Sequence, residues 1–307
     1  MSRHFITIED LAYKDLATIY AGACSPFDDE TLKGQGVALI FERPSLRTRA
    51  SSSSAVQELG GYVTFFSDEE IGLDTRESAH DVARTLAQMY AICALRVRDH
   101  RVFEKMRVAT NDEMSLINLL SDTAHPTQAV ADVLTIAEHF TRGDVDQLSG
   151  LKVSYVGDAT NVARSLSVAL LRLGAHVTVC APEGYQLAHG GGEDPFAIAS
   201  GSLLLSDSPE DAVRDADVVY TDAWVSMGFE AETQRRRLDL ASFQVNESLM
   251  KKAKPGTVVL HCLPAHRGEE ITDAVIDGES SLVLRQVFHR RSAMLGVLRW
   301  IKKEDHD

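Results

Sequence analysis

The chain has 307 residues, enough for about two domains, and its 44% apolar and 25% charged residues are ordinary for a globular protein. Its 31 basic and 45 acidic side chains leave a net charge of −14, which argues against non-specific nucleic-acid binding or a polybasic membrane contact, since both need a cationic face. No run approaches the roughly 18 apolar residues of a membrane-spanning helix. Cys24, Cys93, Cys180 and Cys262 lie far apart with no CxxC pair, a spacing that fits neither a zinc site nor a disulfide framework. The start, MSRHFITIEDLAYKDL, puts acidic residues where a signal peptide needs an apolar centre, so a cytoplasmic protein is expected.

In chain order, Gly36 to Phe41 (GVALIF) reads as a buried strand, and a helix follows from near Ser45 to Gly60-Gly61, with the run Ser51 to Ser54 inside it. Tyr62 to Phe66 is the next strand. Residues 80–91 form a helix with Val82, Leu86 and Met89 at core spacing, followed by an extended run from Ile92 to Val97. A further helix starts at Pro126 and reaches about His139. The mixed-charge loop 141–146 predicts a domain boundary, after which the alternation restarts: strand 151–156, helix 162–173, and strands 176–180, 218–220 and 257–260. The segment 187–202, with Gly190-Gly191-Gly192, reads as a mobile loop. The last helix, about 289–303, is long enough to cross back onto the first domain. The pattern predicts an α/β architecture of two doubly wound parallel-sheet domains, residues 1–140 with the C-terminal helix 289–307 and residues 141–288. Ligands of such sheets bind at the carboxyl ends of strands, near the switch point between halves.

Of five informative clusters, four follow such strands and one opens a helix. Ser45-Leu46-Arg47-Thr48-Arg49 opens a helix, where unpaired N–H groups, hydroxyls and guanidiniums suit phosphate. An ordinary serine cap beside solvated arginines reads equally well there. His125-Pro126-Thr127-Gln128 puts His125 at a helix entrance, able to donate to a carbonyl oxygen, with Gln128 one turn on; a capping histidine is the plainer alternative. Arg96 ends a strand and offers a second cationic donor. The turn Gly157-Asp158-Ala159-Thr160-Asn161 lacks both GxGxxG and a Walker sequence, so a dinucleotide is discounted and Asn161 becomes a polar reader of a small ligand. Asp222 supplies a counter-charge for an ammonium. Cys262 is a nucleophile or a buried structural thiol, and His261 with His266 makes too small a set for a metal.

Phe41-Glu42-Arg43-Pro44-Ser45-Leu46-Arg47-Thr48-Arg49, His125-Pro126-Thr127-Gln128, Asp222 to Gly228 and His261-Cys262-Leu263-Pro264 occur in this order in the carbamoyltransferases. The chain resembles that family over nearly its whole length, and the DxWxSMG and HCLP motifs resemble its ornithine branch. The resemblance implies transfer of the carbamoyl group of carbamoyl phosphate to the δ-amine of L-ornithine, giving L-citrulline and phosphate, with no cofactor, metal or covalent intermediate. It implies that Ser45, the Leu46 backbone, Arg47 and Thr48 cradle the phosphate. Arg96 and His125 then donate to the carbonyl oxygen as negative charge grows there, and Gln128, the Leu263 carbonyl and Arg290 hold the carbamoyl end. Asn161, Asp222, Ser226 and the Met227 backbone are implied to bind ornithine. Cys262, at the meeting of the two substrates, orients the amine.

The resemblance also implies a homotrimer whose active sites are each completed by a neighbour's loop, here between Ser67 and Ser78. Glu70 stands where the family usually offers a glutamine to phosphate, so either Arg76 takes over or the correspondence slips. Of the family's usual Glu-Asn-Arg, Phe288-His289-Arg290 keeps only the arginine. The alternatives are another acceptor (acylated ornithine, putrescine or lysine) and a non-catalytic sensor of the same fold, with an α/β oxidoreductase more distant.

Overall fold

Six consecutive residues, GVALIF, form β1 (Gly36–Phe41), buried along almost its whole length as a central parallel strand must be. In this computed structural model, which describes residues 2–25, 30–187, 196, 200–225 and 230–303, the chain divides into two units. The first runs to Ala131 and resumes at Arg290; the second spans Asp132–His289.

In the first unit β1 is joined by β2 (Tyr62–Ser67), β3 (Ile92–Arg96) and β4 (Ser115–Leu120), all parallel in the order β2-β1-β3-β4. The helix Leu46–Glu58 follows β1, with the serine run inside it as expected. β4 was not legible because Asn118 interrupts its apolar run. That side chain is fully buried and donates to the Ile6 carbonyl at 2.9 Å, which makes a polar residue tolerable in a core strand. The outer edge of β4 is closed by Phe5, whose N–H donates to Leu116 O and whose carbonyl accepts from Asn118 N, both at 2.8 Å. The helix expected over 80–91 is Ala79–Ala87; because it stops there, Met89 is exposed and not part of the core.

The second unit has β5 (Lys152–Val156), β6 (His176–Cys180), β7 (Ser202–Ser206), β8 (Val218–Thr221) and β9 (Val258–His261), parallel in the order β7-β6-β5-β8-β9. β7 is an edge strand with Leu204 turned to solvent, so it lacked the burial pattern that marks the strands inside this sheet. Most of the expected loop 187–202 lies outside the described residues. The helix Asn161–Arg172 crosses between β5 and β6 with nine of its twelve residues buried, two of them the small serines Ser165 and Ser167.

The last helix, Val283–Lys302, begins earlier than its periodicity suggested. Its residues from Arg290 onward belong to the first unit, where Gly296 meets the helix Tyr13–Cys24. A Cβ at Gly296 would overlap the Ile19 carbonyl oxygen and come within 3.0 Å of Ala23 N, so only glycine permits this approach. Trp300 Nε1 adds a bond to Asp15 at 3.1 Å. Overpacking of such a contact costs about 1–3 kcal/mol. Gly296→Val is therefore expected to lower the thermal unfolding midpoint by several degrees, and an unchanged midpoint would show that the helices do not meet there.

Candidate active site

In the first unit Ser45 caps the helix Leu46–Glu58: its Oγ accepts from Thr48 N at 3.4 Å and donates to Thr48 Oγ1 at 3.0 Å. Thr48 is buried, Ser45 and Arg47 are half-buried, and Leu46 is exposed, so Leu46 offers this site its backbone and not a packed side chain. The N–H groups of the first turn and the aligned peptide dipoles give this helix start a positive potential.

Arg290 organises the same region. Its guanidinium donates to Thr48 Oγ1 at 3.0 Å, to Gln128 Oε1, and to His125 Nε2 at 3.4 Å. Arg290, Thr48, His125 and Gln128 are all buried. The three acceptors are neutral groups that fix the guanidinium's orientation without cancelling its charge. A guanidinium can only donate, so His125 Nε2 accepts and the ring proton sits on Nδ1. Burial, then the charges of Arg290 and Arg96, hold His125 well below the usual imidazole range, so the ring is neutral. Arg96 ends β3 at an irregularity in its pairing with β4, a device that commonly re-aims a side chain beside a site.

In the second unit the turn after β5 uses Gly157 at φ 123°, and Asn161 opens the next helix, half-buried. Asp222 follows β8 and Cys262 follows β9. The Cys262 thiol donates to Asp222 Oδ1 at 2.9 Å, and Ala223 N donates to the same oxygen at 2.8 Å. Burial raises Asp222 above the usual carboxylate range, while His261 and the Cys262 hydrogen bond act the other way. This bond fixes where the thiol points, toward the Asp222 carboxylate. Ser226 and Met227 lie outside the described residues. Leu263 is half-buried at φ 59°, in the left-handed region that a branched side chain rarely adopts.

The structure thus brings together Ser45, Thr48, His125, Gln128 and Arg290, with Arg96 near enough for its charge to act on His125. Separately, it joins Asp222 to Cys262. Ligand atoms of Asp222, His261 and Cys262 lie within 4.8 Å of one another, but both His261 nitrogens are engaged, Nδ1 by Leu263 N at 2.9 Å and Nε2 by Glu270 at 3.1 Å. A metal would have to break one of these bonds. Glu70 does not extend away from its own loop: its carboxylate accepts from Ser67 N at 2.7 Å and caps the short helix Asp68–Ile71. That bond holds it below the usual range. Arg76 donates to the Glu70 carbonyl at 3.0 Å.

Residue types alone did not reveal a buried pair beneath the ornithine-type motifs. Arg236 donates to Asp158 at 2.5 Å and to the Trp224 carbonyl at 3.3 Å, and lies against the Tyr185 ring. It ties the turn before Asn161 to the segment after Asp222. Burial still pushes Asp158 up to about 6 despite the guanidinium. Arg236 sits in a run of three arginines that reads as a solvated face, and only the fold distinguishes it.

The model of the aspartate/ornithine carbamoyltransferase carbamoyl-P binding domain matches residues 3–138, and that of the Asp/Orn binding domain matches residues 149–301. The ornithine carbamoyltransferase of Thermococcus kodakarensis is 44% identical over 276 residues, 87% of this chain and 84% of the relative. That of Bacillus subtilis is 37% identical over 305 residues, covering 97% and 93%. The solved ornithine carbamoyltransferase of Pyrococcus furiosus superposes with a TM-score of 0.88 at 40% identity, covering 97% of this chain and 96% of that one. The chain belongs to the aspartate/ornithine carbamoyltransferase family.

Proposed function

We propose that this protein is an enzyme that transfers the carbamoyl group of carbamoyl phosphate to the δ-amine of L-ornithine, releasing L-citrulline and phosphate. The observation that carries this reading is the buried Arg290 guanidinium, which gathers Thr48, Gln128 and His125 beside the helix start at Ser45.

Residues 45–48 receive the phosphate, through Ser45, Thr48, the Leu46 N–H and the Arg47 guanidinium. Gln128, the Leu263 carbonyl and Arg290 hold the carbamoyl end. As the amine lone pair adds to the carbamoyl carbon, charge develops on its oxygen, where Arg96 and the His125 Nδ1–H stabilise it. A neutral imidazole suits this role, because it donates a hydrogen bond without surrendering a proton. The bond between the carbamoyl carbon and the phosphate oxygen then breaks, and the proton given up by the attacking nitrogen leaves with the phosphate as hydrogen phosphate. Asn161, Asp222, Ser226 and the Met227 backbone bind the amino-acid end of ornithine, and Asp222 matches its ammonium. Cys262 orients the δ-amine, which reacts in its uncharged form. A free alkylammonium titrates near 10.4, and a desolvated site beside arginines favours loss of its proton. Placing both substrates in contact can supply roughly 7–11 kcal/mol of the barrier reduction.

The reading extends to a homotrimer in which the loop Ser67–Ser78 completes a neighbour's phosphate site. Because the Glu70 carboxylate is committed to its own helix, Arg76 is the cation this loop offers. A cytoplasmic setting is supported by four cysteines that form no disulfide. Among the described residues, no helix is long and apolar enough to cross a membrane.

A colorimetric ureido assay with carbamoyl phosphate and a panel of L-ornithine, N-acetylornithine, putrescine and lysine tests the reaction and its acceptor. Product is expected with ornithine, and with the others at no more than a small fraction of that rate. Preference for the acylated amine would overturn the role of Asp222, and activity surviving Arg47→Ala would overturn the phosphate cradle. His125→Ala is expected to lower kcat by about 10²–10³-fold, the effect of losing one oxyanion donor.

His125 also makes a stability prediction. Its folded pKa lies below the unfolded value of 6.5, so its contribution is complete above that pH and is lost as pH falls below it. Unfolding free energies measured from pH 7.5 to 5.5 should therefore fall more steeply in the parent protein than in His125→Ala. Equal slopes would mean that the histidine is not held neutral.

A further inference from the structure

We infer that His261 and Glu270 are a positioning pair that holds the turn carrying Cys262 and Leu263, and through it sets ornithine affinity. This rests on the activity proposed above. The pair is assigned no contact with substrate, so neither member is a catalytic residue.

The geometry runs through one ring. His261 is the last residue of β9 and, like Glu270, is fully buried. Its Nδ1 accepts the Leu263 N–H at 2.9 Å, which leaves the ring proton on Nε2 to be donated to Glu270 Oε1 at 3.1 Å. The same Glu270 oxygen accepts His266 N at 2.6 Å, so the carboxylate pins the loop at both ends, from the strand terminus to residue 266. Glu270 thereby fixes both the tautomer and the orientation of His261. With the opposite tautomer, an N–H at Nδ1 would face the Leu263 N–H, and the turn would lose its acceptor.

The turn needs such an anchor. Leu263 sits at φ 59°, a conformation that persists in a non-glycine residue only where its surroundings over-determine it. Cys262, between His261 and Leu263, must present its thiol to Asp222 at 2.9 Å. Deeper hydrogen bonds hold the ring's own backbone. His261 N donates to Gln286 Oε1 at 2.8 Å, and Gln286 Nε2 donates to Asp132 at 2.8 Å. Asp132 also accepts from the Tyr220 hydroxyl at 3.0 Å. With the strand end fixed on one side and Glu270 on the other, the imidazole has one orientation, and Leu263 N–H takes its place from it. The phosphate cradle belongs to the other unit and shares none of these bonds.

The test compares Glu270→Ala and Glu270→Gln with the parent enzyme, reading KM for each substrate, kcat, and hydrogen exchange of the peptide spanning residues 258–268. Glutamine keeps an acceptor oxygen for His261 and His266; alanine does not. Glu270→Ala is expected to raise KM for ornithine about ten-fold or more, the effect of a buried donor left without its partner. It should raise KM for carbamoyl phosphate by a smaller factor, because of that substrate's partners only the Leu263 carbonyl lies on this turn, and should speed exchange in 258–268, while Glu270→Gln restores all three properties to within about three-fold of the parent. A role in folding alone would shift both substrates by the same factor and would overturn the inference, as would unchanged exchange in Glu270→Ala. If the parent forms no citrulline, the activity reading fails by itself; faster exchange in Glu270→Ala, reversed in Glu270→Gln, still supports the anchor, and its absence refutes it.

Discussion

The buried guanidinium of Arg290 is the interaction on which the proposed chemistry of the first unit depends. Removing such a group from water is costly unless its N–H groups find acceptors, and Thr48, Gln128 and His125 are those acceptors. Each acceptor is oriented in return. The Thr48 hydroxyl is set beside the helix cap at Ser45, the Gln128 amide has its oxygen turned inward, and the His125 ring has its proton on Nδ1. One arginine on the last helix thereby orders groups from two other helices. The close approach at Gly296 that docks that helix is part of the same device.

The second unit solves a different problem. It buries a carboxylate, Asp222, which under the proposed reaction must stay ready for an ammonium, and it does so with directed donors. Cys262 and the Ala223 N–H both reach one carboxylate oxygen, offsetting part of the desolvation that raises its pKa. The loops around it are braced from behind, by Arg236 across Asp158 and Trp224 and by His261 against Glu270. Preorganisation of this kind matters because an amine misplaced by a fraction of an ångström loses much of the proximity advantage.

Much of this was legible in the sequence, for identifiable reasons. Parallel strands buried on both faces read as apolar runs, which marked β1, β3, β5, β6, β8 and β9, and helix starts marked by Ser45 and Pro126 announced the elements that carry the site. The family motifs named the residues that converge in each unit. What stayed hidden was settled by tertiary partners. β4 contains Asn118, acceptable only because Ile6 supplies an acceptor, and β7 is an edge strand without a burial pattern. Glu70 read as an acid aimed at phosphate, whereas it folds back on Ser67. No partner for His261 was legible beyond a metal set too small to hold an ion, and its nitrogens prove to face Leu263 and Glu270. Arg236 and Glu270 stand in charged stretches that carry no local signal of burial, and only the fold reveals their work.

The central claim is that Arg290 and its acceptors act as one unit in gripping the carbamoyl end of carbamoyl phosphate. A double-mutant cycle of Arg290→Lys and Gln128→Leu, read as carbamoyl phosphate affinity by calorimetry, measures that directly. The account predicts strong non-additivity, with a coupling energy of about 0.5–3 kcal/mol, because either substitution alone already dismantles the arrangement. Losses that simply add would mean that the two side chains bind independently, and the account would be wrong.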